Sequence, residues 1–251
     1  ILAFLDDDAF PQAGWLAKAL PHFKKGIAAV GGPAMTPPDA GMVEEGLGLV
    51  FETLAGGAHA RRRYRPQGGR VFVDDWPSVN LLVERKAFLE VGGFDCPYWP
   101  GEDTFFCRSL VGSGRQIRYD PQVKVWHHRR PSLKAHLKQV GAYGLHRGYF
   151  FKRYPETSRR PAYLAPSLIL FWVAVGWLVG LLGWIPLAVW ASAPLGLITL
   201  SSFQAWGLAR GGASRRLPMA LFTGVSVLLT HLVYGARFLQ GLFTKKLVSR
   251  L

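Results

Sequence analysis

The chain has 251 residues and a formal net charge of +14, and 49% of its residues are hydrophobic. This length allows one large domain or two small ones. A basic excess can indicate nucleic-acid binding, but the chain has no zinc-finger spacing and no basic region that leads into a heptad repeat. We therefore expect no nucleic-acid partner. The only cysteines, Cys96 and Cys107, lack metal-type spacing, so we expect reduced thiols rather than a disulfide framework.

The first half of the chain begins in an apolar run. Because no start methionine or signal peptide precedes Ile1, the pattern predicts an N-terminally truncated chain whose nucleotide-binding part is missing. The predicted elements in order are a strand at Ile1–Leu5, a helix from Pro11 to Leu20, a strand at Ile27–Val30, a helix at Val43–Leu54 and a mobile basic loop at Arg61–Gly69.

The second part continues the alternation of strands and helices. Its predicted elements are Val71–Val73, Asn80–Val83, Ile117–Tyr119 and Val123–Trp126 as strands, and Arg85–Val91 and Glu102–Val111 as helices. This alternation predicts an α/β fold. An amphipathic helix from Ser132 to Arg153 follows, and it either lies in a membrane interface or covers the catalytic domain.

The last part of the chain is apolar enough for a membrane. Residues 163–209 contain no Asp, Glu, Lys, Arg or His, which allows two crossings with a turn at Gly183–Pro186. Leu217–Ala236 is a third candidate, so we predict two to three transmembrane helices. Buried core helices are the alternative, but a soluble core helix is rarely apolar on every face over this length.

Charge on either side of this region predicts the orientation. Residues 115–160 hold twelve Lys or Arg and two acids, and the positive-inside tendency places such a segment in the cytosol. Two crossings return Arg210 to the same side. A third crossing would place Lys245 and Lys246 outside, against this tendency. Two explanations stay open: residues 217–242 are re-entrant or interfacial, or missing sequence changes the number of crossings.

Three adjacent aspartates, Asp6, Asp7 and Asp8, follow the first strand. Their mutual repulsion at a strand end favours a bound cation, and carboxylate oxygens suit Mg²⁺ or Mn²⁺. The alternative is a solvated acidic turn that caps the next helix.

A second acidic pair, Glu102 and Asp103, follows Gly101 at the start of a predicted helix between large apolar residues. A carboxylate in such a setting can accept a proton from a substrate hydroxyl. On its own, the pair is also explained by ordinary helix-start chemistry.

The order of these motifs resembles the family 2 glycosyltransferases. The matching pieces are Phe4-Leu5-Asp6-Asp7-Asp8, Gly14-Trp15-Leu16, Val91-Gly92-Gly93-Phe94-Asp95, Gly101-Glu102-Asp103 and His127-His128-Arg129-Arg130. The resemblance covers residues 1–148 and implies the C-terminal part of a GT-A (Rossmann-like) domain followed by transmembrane α-helices. The apolar tail is similar to that of bacterial polysaccharide glycosyltransferases of the succinoglycan-synthesis type.

The resemblance also implies roles for single residues. Asp6 and Asp8 match the acids that contact the metal and the nucleotide, with Asp7, His127 and Arg130 as further contacts to the nucleotide diphosphate. Asp103 matches the catalytic base, and Glu102 orients the acceptor. His128 competes with His127 for its role, and Arg129 and Arg130 can contact lipid headgroups instead of phosphates.

One departure from the family concerns processive synthases. Gln139 stands where they carry Gln-x-x-Arg-Trp, but the Arg-Trp pair is absent. We therefore expect one sugar per cycle, moved from a nucleotide sugar, with UDP as the expected nucleotide, to a lipid-linked or glycan acceptor. Asn80 either contacts a substrate or serves a turn.

These observations predict an inverting, metal-dependent glycosyltransferase of the bacterial inner membrane. Residues 1–155 are the expected catalytic region, and residues 160–251 the membrane region. A noncatalytic membrane scaffold or transport component with a basic cytosolic domain is the alternative from another class. A nucleotidyltransferase is the alternative among enzymes.

Overall fold

A computed structural model describes residues 1–247, which divide into two compact units. Residues 1–40 and 60–128 form the N-terminal unit, and residues 41–59 and 129–247 form the C-terminal unit. The division into a catalytic region at 1–155 and a membrane region at 160–251 is a functional one and stays a prediction.

The strands are short, and eight are present in the described residues. They are β1 (Leu2–Phe4), β2 (Ala9–Pro11), β3 (Ile27–Gly31), β4 (Ala34–Met35), β5 (Val71–Val73), β6 (Leu81–Val83), β7 (Gln116–Tyr119) and β8 (Val125–His127).

The α-helices lengthen towards the end of the chain. They are α1 (Trp15–Ala19), α2 (Met42–Glu52), α3 (Leu54–Gly57), α4 (Arg85–Glu90), α5 (Glu102–Gly112), α6 (Leu133–Arg153), α7 (Pro155–Ser158), α8 (Pro161–Leu181), α9 (Leu187–Leu208) and α10 (Ala213–Phe243).

A mixed five-stranded sheet forms the centre of the N-terminal unit, in the order β1-β6-β3-β7-β5. Only the β3–β7 pair in it is parallel. A second sheet has the order β2-β8-β4. Together with the apolar helices of the other unit, this arrangement confirms the predicted α/β class followed by helices.

Helices cover both faces of the five-stranded sheet. Ala87 of α4 and Phe106 and Leu110 of α5 are buried in the cluster that contains Ile117 of β7. Trp15 and Ala19 of α1 are buried in a second cluster with Val30 of β3 and Leu82 of β6. Burying a large apolar side chain contributes about 1.5–3 kcal/mol, so these two clusters hold the layers together.

Asn80 is fully buried between the two sheets, in a 3₁₀ helix at Ser78–Asn80. Its Oδ1 accepts a hydrogen bond from Trp15 Nε1 at 2.9 Å, and its Nδ2 donates to the Val123 carbonyl at 2.8 Å. The side chain therefore connects α1 with the approach to β8. The possible substrate contact is wrong for this residue, because its amide is engaged inside the core.

Three helices of the C-terminal unit are long and apolar enough to cross a membrane: α8, α9 and α10. The predicted turn between the first two is present, with Gly183 in the left-handed region at φ 74°. The helices α2 and α3 belong to the same unit. Thr223 of α10 donates to the Gly46 carbonyl of α2 at 3.0 Å, and Leu49 packs with Ala205 of α9.

Candidate active site

The aspartate motif lies in the connection between the two sheets of the N-terminal unit. After β1, the Ala9 amide donates to the Asp6 carbonyl at 3.1 Å and closes a tight turn. The chain then enters β2, which pairs antiparallel with β8 and places Ala9 opposite His127. The His128 amide donates to the Asp8 carbonyl at 3.1 Å. This pairing fixes the turn beside the end of β8.

The side chains of Asp6, Asp8 and His127 converge at this point. His127 Nε2 is 3.0 Å from Asp8 Oδ1 and 3.8 Å from Asp6 Oδ2. One ligand atom from each of the three residues lies within 4.8 Å of the others. The side chains are 45%, 34% and 15% exposed for Asp6, Asp8 and His127. The cluster is therefore open on the side of the two carboxylates.

These spacings fit a shared metal ion. Two ligands bound at about 2.1 Å are about 3 Å apart when they are at right angles and about 4.2 Å apart when they are opposite. The distances from His127 to Asp8 and to Asp6 lie within this range. Two carboxylates and one imidazole are also a donor set that leaves positions for water and phosphate oxygens.

The second predicted pair begins helix α5. Gly101 has φ 126°, a conformation that favours glycine, and it lets the chain turn sharply into the helix. Glu102 Oε2 accepts a hydrogen bond from the Gly101 amide at 2.9 Å, and Asp103 Oδ1 accepts one from the Thr104 amide at 2.7 Å. Both carboxylates are thus held at the start of the helix.

Sequence reasoning missed a buried network behind this helix start. Thr104 Oγ1 donates to Asp75 Oδ1 at 3.2 Å, and Asp75 Oδ2 is 3.2 Å from Arg63 Nη2. Asp75 is only 7% exposed. The adjacent Asp74-Asp75 pair before Trp76 was the available signal, but the partner Arg63 lies in the segment predicted as a mobile loop. Residues 58–63 instead form a 3₁₀ helix.

An aromatic cluster joins the two acidic motifs to one core. Phe4, at the end of β1, has its ring centroid 5.2 Å from Phe88 and 5.0 Å from Phe94. Both rings also contact Phe106, which lies three residues after Asp103 in α5, at 5.3 and 5.2 Å. The strand that leads to Asp6 and the helix that begins at Glu102 therefore pack on the same side chains.

The remaining predicted contacts lie at different places. Asp7 is exposed in the turn between Asp6 and Asp8. Arg130 belongs to the C-terminal unit, where the Gln139 side-chain oxygen accepts from Arg130 Nη2 at 3.0 Å and from the Tyr143 hydroxyl at 3.1 Å. The phosphate role given to Arg130 stays a prediction.

Both cysteines are free thiols. Burial raises the pKa of Cys107 well above its usual range. Partial burial also raises the pKa of Cys96, and the nearby Glu102 and Asp103 carboxylates act in the same direction. Both thiols are therefore protonated near neutral pH.

The comparison with protein families shows which family the chain belongs to. Residues 1–233 match the model of glycosyl transferase family group 2. The chain belongs to this family. The predicted resemblance to family 2 glycosyltransferases is confirmed, while the succinoglycan-synthesis type stays a prediction.

Two relatives within the glycosyltransferases match over a shorter stretch. Both are pre-mycofactocin glycosyltransferases of Mycobacterium tuberculosis, from strains CDC 1551 / Oshkosh and ATCC 25618 / H37Rv. Each is 28% identical over 173 residues, which are 68% of this chain and 36% of the relative. The chain thus aligns with about a third of the length of these relatives.

Proposed function

We propose that the protein transfers a sugar from a nucleotide diphospho-sugar to an acceptor hydroxyl, with inversion at the anomeric carbon. The observation that carries the proposal is the convergence of Asp6, Asp8 and His127 in a chain of glycosyl transferase family group 2. A scaffold would not require these three side chains to converge from the turn after β1 and the end of β8.

Asp6, Asp8 and His127 are the residues that would hold a divalent ion. Mg²⁺ takes oxygen ligands almost exclusively, whereas imidazole is a common ligand of transition metals. The mixed donor set therefore favours Mn²⁺ over Mg²⁺. When bound, such an ion supplies positive charge for the diphosphate that leaves the sugar.

Asp103 is the proposed general base. Its carboxylate lies at a helix start in the unit that holds the metal-ligating cluster, and it would accept the proton of the acceptor hydroxyl as that oxygen attacks the anomeric carbon. Glu102 beside it would orient the acceptor. A single displacement of this kind inverts the anomeric centre. Asp7 and Arg130 are the proposed further contacts of the nucleotide diphosphate, with UDP as the nucleotide.

The proposed location is the cytosolic face of a bacterial inner membrane. The 21-residue helix α8 and the 22-residue helix α9 are long and apolar enough to cross it. The twelve Lys or Arg against two acids at residues 115–160 support a cytosolic catalytic region. A lipid-linked or glycan acceptor suits this place, and the names of the relatives add pre-mycofactocin as an acceptor to test.

The test uses the purified full-length protein with UDP-, GDP- and dTDP-sugars. Lipid-linked glycans and pre-mycofactocin serve as acceptors, and products are identified by mass spectrometry and their anomeric configuration by NMR. We expect an inverted sugar product that disappears with EDTA and returns with Mn²⁺ more fully than with Mg²⁺.

Each other outcome contradicts a defined part of the proposal. Transfer of a nucleotidyl group would assign the protein to the nucleotidyltransferases. A retained anomeric configuration would exclude single displacement. No transfer from any donor, with the protein folded and metal present, would favour the noncatalytic scaffold.

A further inference from the structure

Helices α6 and α10 of the C-terminal unit run parallel and in register. His136 Nε2 lies 2.9 Å from Thr230 Oγ1 near the start of the shared stretch. At the far end, Lys152 Nζ donates to the carbonyls of Leu242 and Thr244, both at 3.0 Å. The pairing therefore continues over about sixteen residues of α6, which is roughly 24 Å at 1.5 Å per residue.

Glycines bring the two backbones close along this stretch. A Cβ added to Gly144 would lie 2.5 Å from the Tyr234 carbonyl oxygen, and one added to Gly148 would lie 2.0 Å from that of Phe238. On α10, a Cβ at Gly241 would lie 2.0 Å from the Leu145 carbonyl oxygen. Along this stretch the helices are packed backbone to backbone, so the part of α10 from Thr230 onward lies at the same depth as α6 relative to any membrane.

The composition of α6 excludes it as a membrane crossing. Its 21 residues include Lys134, His136, Lys138, His146, Arg147, Lys152 and Arg153. Lys134, Lys138, Lys152 and Arg153 are exposed, and they lie near both ends of the helix. Exposed lysines and arginines along a segment are not accommodated in the hydrocarbon core.

Polar contacts also fix α10 at its start and beyond its middle. Glu45 of α2 is buried, and it pairs with Arg210 Nε at 3.1 Å and Arg215 Nη2 at 2.8 Å, just before and inside the start of α10. Further along, His231 Nε2 lies 3.1 Å from the Ala55 carbonyl. A buried charge cluster therefore holds the start of α10, and Lys152 of α6 contacts its end.

The exposed face of α10 is mostly apolar. Its exposed large apolar side chains form two groups at four-residue spacing, one towards the start of the helix and one at its end: Leu217, Leu221 and Val225, then Leu239 and Phe243. We call them the α10 stripe. In the most apolar stretch of α10, 44% of the residues are buried inside the protein. The corresponding stretches of α8 and α9 are 17% and 11% buried. Of the three apolar helices in the described residues, α8 and α9 are thus the two that are exposed on nearly all faces.

We propose that, among the described residues, α8 and α9 are the two membrane crossings, and that α10 lies in the interface beside α6. The α10 stripe contacts the acyl chains of the leaflet on the side where Arg159 and Arg160 lie. At 31 residues, α10 is about 46 Å long, more than a crossing of the roughly 30 Å hydrocarbon core needs. Lys245 and Lys246 then lie on the same side as Arg159, as the positive-inside tendency favours.

Single cysteines introduced into the full-length protein test the proposal, in a background with Cys96→Ser. Trp184→Cys marks the α8–α9 turn, Gly212→Cys the α9–α10 connection and Lys245→Cys the end of α10. All three positions are exposed. Intact cells and cell lysates are treated with a membrane-impermeant maleimide. We expect Lys245→Cys to behave as Gly212→Cys does and opposite to Trp184→Cys. Labelling of Lys245→Cys together with Trp184→Cys would overturn the proposal.

A depth measurement distinguishes the two arrangements independently. Spin labels at Leu221, Val225 and Leu239 in liposomes report depth through collision with oxygen and a nickel chelate. We expect nearly equal depths for all three, whereas a steady change from one end of α10 to the other would show a crossing and overturn the proposal. The inference rests on the proposed membrane location but not on sugar transfer. If Trp184→Cys and Gly212→Cys were labelled alike, the membrane location itself would be rejected.

Discussion

At the scale of single residues, the account depends on three side chains that converge on one candidate metal position. Asp8 is the central one, because His127 Nε2 lies 3.0 Å from its Oδ1. We expect Asp8→Asn to raise the Mn²⁺ concentration for half-maximal transfer by at least about tenfold, since an amide oxygen carries no charge for the ion. A metal titration of activity measures this. Asp39→Asn, at an exposed acid, is the matched control and should leave the titration unchanged.

A second prediction for a single residue concerns Asp75 and the stability of the fold. It is buried and pairs with Arg63 on one side and Thr104 on the other. Asp75→Ala removes the buried carboxylate that pairs with the Arg63 guanidinium, which we expect to cost about 3–5 kcal/mol. The thermal unfolding midpoint in detergent should fall clearly for this variant and hardly at all for Asp74→Ala, because Asp74 is exposed. Equal midpoints for the two variants would contradict the role of the pair.

At the scale of elements, the close pairing of α6 and α10 is the feature to test. Gly148→Ala forces a methyl group to within 2.0 Å of the Phe238 carbonyl oxygen, so the helices must separate. Overpacking of this kind costs about 1–3 kcal/mol. Gly196→Ala in α9 is the control: a methyl group added there meets open space, so this variant should be neutral or slightly stabilising. The thermal unfolding midpoint should fall for Gly148→Ala and not for Gly196→Ala. An unchanged midpoint for Gly148→Ala would argue against the close pairing of α6 and α10.

The same helix pair should make stability depend on pH. Burial lowers the pKa of His136 from 6.5 to about 4, and burial also lowers that of His146. Because the unfolded chain binds the proton more readily, stability is unaffected above about pH 6.5 and falls as the pH drops towards 4. For His136 the loss is about 3 kcal/mol. Unfolding midpoints between pH 7 and pH 4 should show this slope, and His136→Gln should flatten it.

At the scale of the whole molecule, much of the element order follows from the sequence. The apolar run before Asp6 predicted β1, the amphipathic spacing predicted α6, and a helix was expected at Val43–Leu54, where α2 lies. The uncharged stretch at 163–209 predicted the α8–α9 hairpin with its turn. These features are local, because periodicity, turn glycines and charge gaps are all visible within about twenty residues.

What the sequence did not predict depends on distant partners. The strands β2 and β4 have three and two residues and no period, and they form because β8 pairs with both. The Arg63–Asp75 pair joins the 3₁₀ helix at residues 58–63 to the loop after β5, so neither residue alone marks it. Residues 41–59 lie between elements of the N-terminal unit, yet they pack in the other unit. In the candidate site, His127 was expected beside the metal, but its direct approach to Asp8 depends on the β2–β8 register.

The central claim is that Asp103 removes the acceptor proton at an otherwise intact donor site. The most direct measurement is the turnover number of full-length Asp103→Asn beside that of Asp39→Asn, with nucleotide and Mn²⁺ affinities measured for both. We expect Asp103→Asn to lose about 10²–10⁴-fold in turnover with both affinities unchanged. Asp39→Asn should match the unaltered protein. If Asp103→Asn turned over at the normal rate with normal affinities, another residue would be the base and the account of the site would be wrong.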